Sequence, residues 1–213
     1  MTDICEQLHR CFNHRKRFRF PFDSAAIPHN GIYILFETGE SAHGGDRIVR
    51  VGTHTGENQL RSRLKQHFIL ENKDRSIFRK NIGRALLAKN RDPFASDWEL
   101  DLTASLAKQQ HGLIINRERQ KEIEKDVSRY IQAHFSFSVF DVPDKAQRLL
   151  LESKIISTVS LCPGCTPSQG WLGLSSPKSK IRESGLWLVN ELYKEPFSEA
   201  ELQSMKSSFE EIA

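Results

Sequence analysis

The sequence predicts a mixed α/β (α+β) fold, and three observations carry that prediction. Residues 32–36, 48–52 and 135–142 form short runs rich in β-branched and aromatic side chains, the composition of strands. Residues 60–68, 76–88, 116–134 and 145–160 repeat apolar side chains at three- and four-residue intervals, the period of helices that bury one face. The link between the first two strands, 38–46, is too short for a crossover helix, so those strands pair antiparallel as a hairpin.

Taken in order, residues 1–12 read as a short amphipathic helix with Ile4, Leu8 and Phe12 on one side. Pro21, Pro28 and Asn30 make an irregular approach to the first strand, which ends near Glu37; Gly39, Gly44 and Gly45 then mark 38–46 as a loop. A polar turn, 53–58, leads into a helix whose Leu60, Leu64 and Phe68 face the core. Arg63 and His67, one turn apart, fall at its edge between core and solvent. Ser76 has the position of an N-cap for the next helix, whose buried face takes Ile77, Phe78, Ile82, Leu86 and Leu87. The pattern weakens over 89–112, a partly ordered excursion. Residues 116–134 are strongly charged, with Ile123, Val127 and Ile131 in line, and read as a surface helix. After the third strand, Pro143 and Asp144 cap a helix to about Ser160. Residues 161–180 are loop-rich, 186–192 are apolar, and 198–212 form a terminal helix whose acidic start suits the helix dipole.

At 213 residues, 38% hydrophobic and 27% charged, the chain is one domain with insertions or a small appendage, and it is long enough to bury a core. No apolar run approaches bilayer length and residues 1–7 lack the apolar stretch of a secretory signal, so an intracellular, cytoplasmic protein without a membrane partner is expected. The net charge of +4 argues little by itself. Its distribution says more: Arg10, Arg15, Lys16, Arg17 and Arg19 cluster before Pro21, and a second basic stretch covers 61–84. Such segments serve as phosphate contacts or as solvated surface, and both readings stand.

Cys162 and Cys165 have the spacing of a zinc half-site. Cys5, Cys11, His9 and His14 supply no second half-site at standard offsets, so a turn with reduced thiols is preferred to structural Zn2+ at Cys162/Cys165.

Tyr33, Arg63 and His67 bring a phenol, a fixed cation and an imidazole into one stretch of chain, a combination suited to phosphodiester chemistry. Glu152 sits among Leu149, Leu151, Ile155 and Ile156, so its carboxylate is partly desolvated and needs a partner. A divalent cation is one, and a salt bridge to Arg148 or Lys154 is the simpler one. Taken singly, each of these residues has a bland reading as core aromatic, surface histidine or solvated arginine.

In order along the chain, Gly31-Ile32-Tyr33, Val49-Arg50-Val51-Gly52-Thr53, Arg63-Leu64-Lys65-Gln66-His67 and Glu152 resemble the catalytic domain of the GIY-YIG nuclease family, in its restriction-endonuclease-like form. The resemblance covers 30–160. It implies a small three-stranded antiparallel sheet flanked by helices, and a chain divided into a basic helical arm (1–29), a nuclease domain (30–160) with a helical insertion (89–134), and a loop-rich extension (161–213) packed on the core. It also implies a metal-dependent DNA endonuclease. Tyr33 matches the tyrosine that activates or positions the attacking water, Arg63 the arginine on the scissile phosphate, and His67 the histidine that hydrogen-bonds that tyrosine. Glu152 matches the sole carboxylate ligand of Mg2+ or Mn2+, and Asn190 a late asparagine that helps close the site. The second motif departs from the family: Arg50 stands where a tyrosine is expected, and a phosphate contact is its expected role, with Gly52 keeping the close backbone approach. Arg50, Thr53, Arg61, Lys65, Arg15, Lys16 and Arg17 are the expected DNA contacts, and the insertion and extension the expected seats of specificity.

An ordinary phenol ionises only near pH 10, so a tyrosine base needs help from His67, the metal field or nearby cations, and an alkaline optimum follows. The expected partner is DNA, with a homodimer if both strands are cut, in restriction or genome defence and associated with the nucleoid. The alternatives are a non-catalytic DNA-binding module that keeps the nuclease fold, and a zinc-stabilised interaction domain on Cys162 and Cys165.

Overall fold

His43 and Gly44 set the register of the sheet. Both adopt left-handed backbone, with φ of 52° and 76°, in the two-residue turn that joins the strands β2 (Ile32–Ala42) and β3 (Gly45–Gly52). Turns of this kind match the right-handed twist of paired strands, and so the tight connection is stable. In this computed structural model, residues 4–101 and 115–210 are described, with side chains to 207. The outermost residues of the first and last helices read from the sequence, and the excursion beyond Asp101, lie outside them.

β2 runs five residues past Glu37, where a loop was expected. Glycine and charge at 38–40 reflect an irregularity in the ladder rather than its end: Phe36 faces Ile48, and the next regular pair is Ser41 with Asp46. Among the described residues the sheet has four strands rather than three, all antiparallel, in the order β1–β4–β2–β3. The additional edge strand, β1 (Phe18–Arg19), is two residues long, too short to leave an alternating pattern. β4 is Phe135–Phe140.

Helices cover both faces of the sheet, which explains why Ile32–Phe36 is an unbroken apolar run. Tyr33, Leu35, Phe135 and Phe137 point into one core with α2 (Leu60–Phe68), α3 (Ile77–Lys89) and α5 (Arg117–His134). A four-residue helix, α4 (Ala95–Trp98), buries Trp98 in the same core. Ile32, Ile34, Phe36 and Phe140 point into the other, against α1 (Ile4–Asn13) and α6 (Lys145–Leu161). After the short α7 (Ser179–Ser184), α8 (Glu199–Glu210) closes that second core with Leu202 and Met205.

The caps of α3 and α6 are those the sequence suggests. The side chain of Ser76 accepts from the Arg79 amide at the start of α3, and that of Asp144 from Gln147 at the start of α6. Ser198 and Glu201 exchange side-chain and backbone hydrogen bonds at the start of α8, a capping box. Ile77, expected inside, is 44% exposed because it is the first residue of α3 and precedes the buried stripe. α5 is more than a surface helix. Besides its apolar stripe it buries Glu124, which takes both Nε and Nη2 of buried Arg79 at 3.1 and 2.7 Å. Among the described residues no helix is long and apolar enough to cross a membrane.

Gly31 has φ +149°, and a Cβ there would stand 1.9 Å from the Phe140 carbonyl oxygen. Gly31→Ala is therefore expected to cost roughly 3 kcal/mol by forcing β2 off β4, read as a lower midpoint of denaturation. An unchanged midpoint would show that the approach is not tight.

Candidate active site

Tyr33 and Gly52 are directly opposed in the β2–β3 ladder, and the absence of a side chain at Gly52 is what makes room for the phenol: a Cβ there would lie 2.2 Å from the Tyr33 oxygen. The ring is buried, and its hydroxyl meets His67 Nε2 at 2.8 Å. Arg50, two residues before Gly52 on the same strand, donates from Nε to that hydroxyl at 3.5 Å and from Nη1 to the Trp187 carbonyl.

His67 departs from its expected place at a solvent edge. It is fully buried, because α3 and its N-cap close over α2: Nδ1 meets the Ser76 hydroxyl at 2.7 Å. Burial, reinforced by the positive charges of Arg63, Arg50 and Arg79, pushes its pKa well below the ordinary value, so the ring is neutral. Ser76 thus serves twice, as helix cap and as the support of the imidazole.

Glu152 lies on α6, on the opposite side of the sheet, and reaches round its edge to accept the Thr53 amide at 3.0 Å, just past the end of β3. Neither salt-bridge partner read from the sequence holds it. Lys154 pairs with Glu195 and Glu201, each at 3.1 Å, and Arg148 donates to the carbonyls of Val142 and Pro143. Burial pushes the Glu152 carboxyl up; the Arg50 charge and the Thr53 amide oppose that, and Glu191 adds to it. A half-buried carboxylate with one amide partner fits a hard cation, which takes one or two carboxylates and otherwise water or phosphate oxygens.

A cleft of about 490 Å³ adjoins the buried Tyr33–His67 pair through Arg50. Arg50 and Glu152 line it, with Arg63 from α2, Asn81 from α3 and Asn190 from the extension. A smaller cleft of about 280 Å³ shares Arg63 and takes in Thr53, His54 and Gln66. Arg63 is steadied by the Gln66 side chain and the Arg75 carbonyl, both at 3.1 Å.

The other basic residues read from the sequence lie apart. Arg15, Lys16 and Arg61 line a different cleft, of about 480 Å³. There Arg61 donates to the carbonyls of Ile27 and Ala25, at 2.6 and 3.2 Å, and holds the approach to β2. Arg17 lies over the Phe36 ring and pairs with Asp46 at 3.5 Å. Lys65 is exposed on α2.

Three contributors went unnoticed in the sequence. Ser76 was seen only as a cap. His54 accepts the Gly31 amide at 3.2 Å and so braces the turn before Tyr33. Asn81 is buried, its Oδ1 accepts from Arg84, and its Nδ2 has no hydrogen-bond partner among the described residues. An asparagine in the middle of an otherwise apolar and basic helix was the available signal.

An α+β domain with a tyrosine–histidine pair at the start of its hairpin and a carboxylate reaching in from a later helix defines the class. A family model described as GIY-YIG domain matches residues 1–213, and the chain belongs to the GIY-YIG nuclease family. Neither the curated proteins nor the solved structures offer a match.

The depressed His67 pKa fixes a sign. The unfolded chain takes up a proton near pH 6.5, and the folded chain only at lower pH, so between these values unfolding binds protons and stability falls as pH falls. Denaturation midpoints are expected to drop below pH 6.5 more steeply for the wild type than for His67→Gln. Parallel curves would refute a neutral buried imidazole.

Proposed function

We propose that the protein is a metal-dependent DNA endonuclease that hydrolyses phosphodiester bonds. The observation that carries this reading is the 2.8 Å contact between the Tyr33 hydroxyl and a neutral, buried His67, beside a cleft shared by Arg50, Arg63 and Glu152. A hydrogen-bonded phenol and neutral imidazole can pass a proton from one to the other, the step a general base needs.

In this reading His67 carries its hydrogen on Nδ1, donated to Ser76, which leaves Nε2 to accept from Tyr33. Tyr33 then takes the proton of the attacking water as its own passes to Nε2. Arg50, on the other side of the phenolic oxygen, offsets the negative charge that develops there. Its guanidinium replaces the second-motif tyrosine of the family. Arg63 presents planar donors to the oxygens of the scissile phosphate, and the unpartnered Asn81 amide adds a neutral donor on the same wall. Glu152 holds Mg2+ or Mn2+, which when bound neutralises the phosphate and the leaving oxygen. Asn190 closes the cleft from the extension. In this reading Thr53 and Lys65 meet the flanking backbone, and Arg15 and Lys16 meet duplex further along. One such site cuts one strand, so double-strand cleavage takes two copies.

Glu152→Ala is expected to lower plasmid nicking with Mg2+ at least ~10³-fold while DNA binding persists, and Tyr33→Phe to do the same. Nicking by either variant at the wild-type rate rejects the assigned role. Loss of nothing in Glu152→Ala, together with no cleavage by the wild type, would favour a DNA-binding module that keeps the fold.

The pH profile is a separate check. The raised Glu152 carboxyl must be ionised to hold a cation, so the apparent Mg2+ affinity is expected to weaken with falling pH, beginning above the ordinary glutamate range. At saturating Mg2+ the relay to a neutral His67 is expected to hold its rate from neutral to alkaline pH, where an unassisted phenol would give an alkaline optimum, and to lose rate as His67 takes up a proton below pH 6.5. A rate that climbs steadily through that alkaline range counts against His67 as the destination of the proton.

A further inference from the structure

Away from the cleft, three segments distant in sequence bring sulfur and imidazole groups together. Cys5 and His9 lie one turn apart on α1, His43 is the first residue of the β2–β3 turn, and Cys165 follows α6 in a single 3-10 turn with Cys162. One ligand atom from each of Cys5, His9, His43 and Cys165 lies within 4.8 Å of the others. The sequence shows no second half-site to accompany Cys162 and Cys165, because the partners come from α1 and from a hairpin that tertiary folding carries to the same place.

The spacings are informative. A tetrahedral zinc with bonds of about 2.3 Å to sulfur and 2.0 Å to nitrogen sets its ligands roughly 3.8 Å apart for two sulfurs and roughly 3.5 Å for sulfur and nitrogen. Cys5 and Cys165 are separated by 3.5 Å between sulfurs, and His43 Nε2 is 3.5 Å from the Cys165 sulfur and 3.3 Å from that of Cys162. The Cys162 thiol also interacts with that of Cys5. The three distances match edges of one tetrahedron, and the Cys5–Cys162 contact falls on a fourth.

The fourth corner is contested by His9 and Cys162. Both nitrogens of His9 have backbone partners: Nδ1 meets the Cys5 carbonyl at 2.9 Å, and Nε2 accepts the Ile48 amide at 3.2 Å. With that lone pair turned to an N–H, and its distance to the Cys165 sulfur at 3.9 Å, His9 reads as a brace between α1 and β3. Cys162 has instead the two-residue spacing of a zinc knuckle. Gly164 between the cysteines leaves just enough room for the His43 ring, since a Cβ there would stand 3.0 Å from Cε1. His43 itself holds the left-handed backbone that few residues other than glycine adopt. Chain conformation is thus arranged around the imidazole.

We propose that Cys5, His43, Cys162 and Cys165 bind one structural zinc ion. It fastens the N-terminal helix and the hairpin turn to the segment that leads from α6 into the extension. The extension carries Trp187 and Asn190 to the catalytic cleft, so the zinc steadies that cleft from behind without entering it.

The test is metal analysis of the protein purified without chelator, with Glu152→Ala as the background that removes the proposed catalytic carboxylate. About one equivalent of zinc per chain is expected, retained in Glu152→Ala and in His9→Asn, and lost in Cys162→Ser. Cobalt substitution of the wild type needs no variant to fold: tetrahedral bands with thiolate charge transfer of three-sulfur intensity are expected. Removing zinc should lower the melting temperature at neutral pH, restored by Zn2+ and not by Mg2+. A protein that takes up no zinc after reduction overturns the proposal, as does zinc that leaves with Glu152. Zinc that leaves with His9 and survives Cys162→Ser overturns the ligand assignment.

Discussion

The opposition of Tyr33 and Gly52 in one ladder position is the constraint on which the candidate site depends. A strand residue of any size at 52 would occupy the space of the phenol, and the hydroxyl would lose its place beside His67. β3 ends at this glycine, and the next residue, Thr53, presents its amide to Glu152. The end of the strand therefore brings the phenol–imidazole pair on one face of the sheet near a carboxylate arriving from the other. Sheets offer few ways to bring groups from both faces together, and the end of an edge strand is one of them.

That edge is then covered. Residues 186–189 run beside β3, where the Trp187 amide donates to Val49 at 2.7 Å and the Trp187 carbonyl receives Arg50. The indoles of Trp171 and Trp187 both donate to Glu37 at 2.7 Å, a carboxylate that burial pushes up even against these hydrogen bonds. Arg47 is likewise spent on Glu40 and on the Gly185 carbonyl. Buried charge of this kind contributes less to net stability than to uniqueness, since any other docking of the extension leaves ions without partners. The loop-rich tail belongs to the architecture of the cleft.

Legibility in the sequence tracked the range of the forces involved. Helices with strong apolar periods and the caps at Ser76 and Asp144 are local matters, decided by neighbours in sequence, and they stand where the pattern puts them. β1 was invisible because two residues carry no period. The extension of β2 through Gly39 was invisible because glycine and acid there serve the bulged ladder and the buried Glu37 and Glu40. His67 looked like a surface histidine because α3, which buries it, is specified nine residues later by Ser76.

By itself the sequence determined the fold class and the family, because motif order and apolar period are properties of the chain. Only the tertiary structure decided their states. It made His67 neutral and buried, took Lys154 and Arg148 away from Glu152, diverted Arg17 and Arg61 into packing, and assembled a sulfur–imidazole cluster from α1, the hairpin and Cys165. The reason is physical: ionisation and ligation depend on solvent exclusion and on distances of a few ångströms between residues that folding alone brings together.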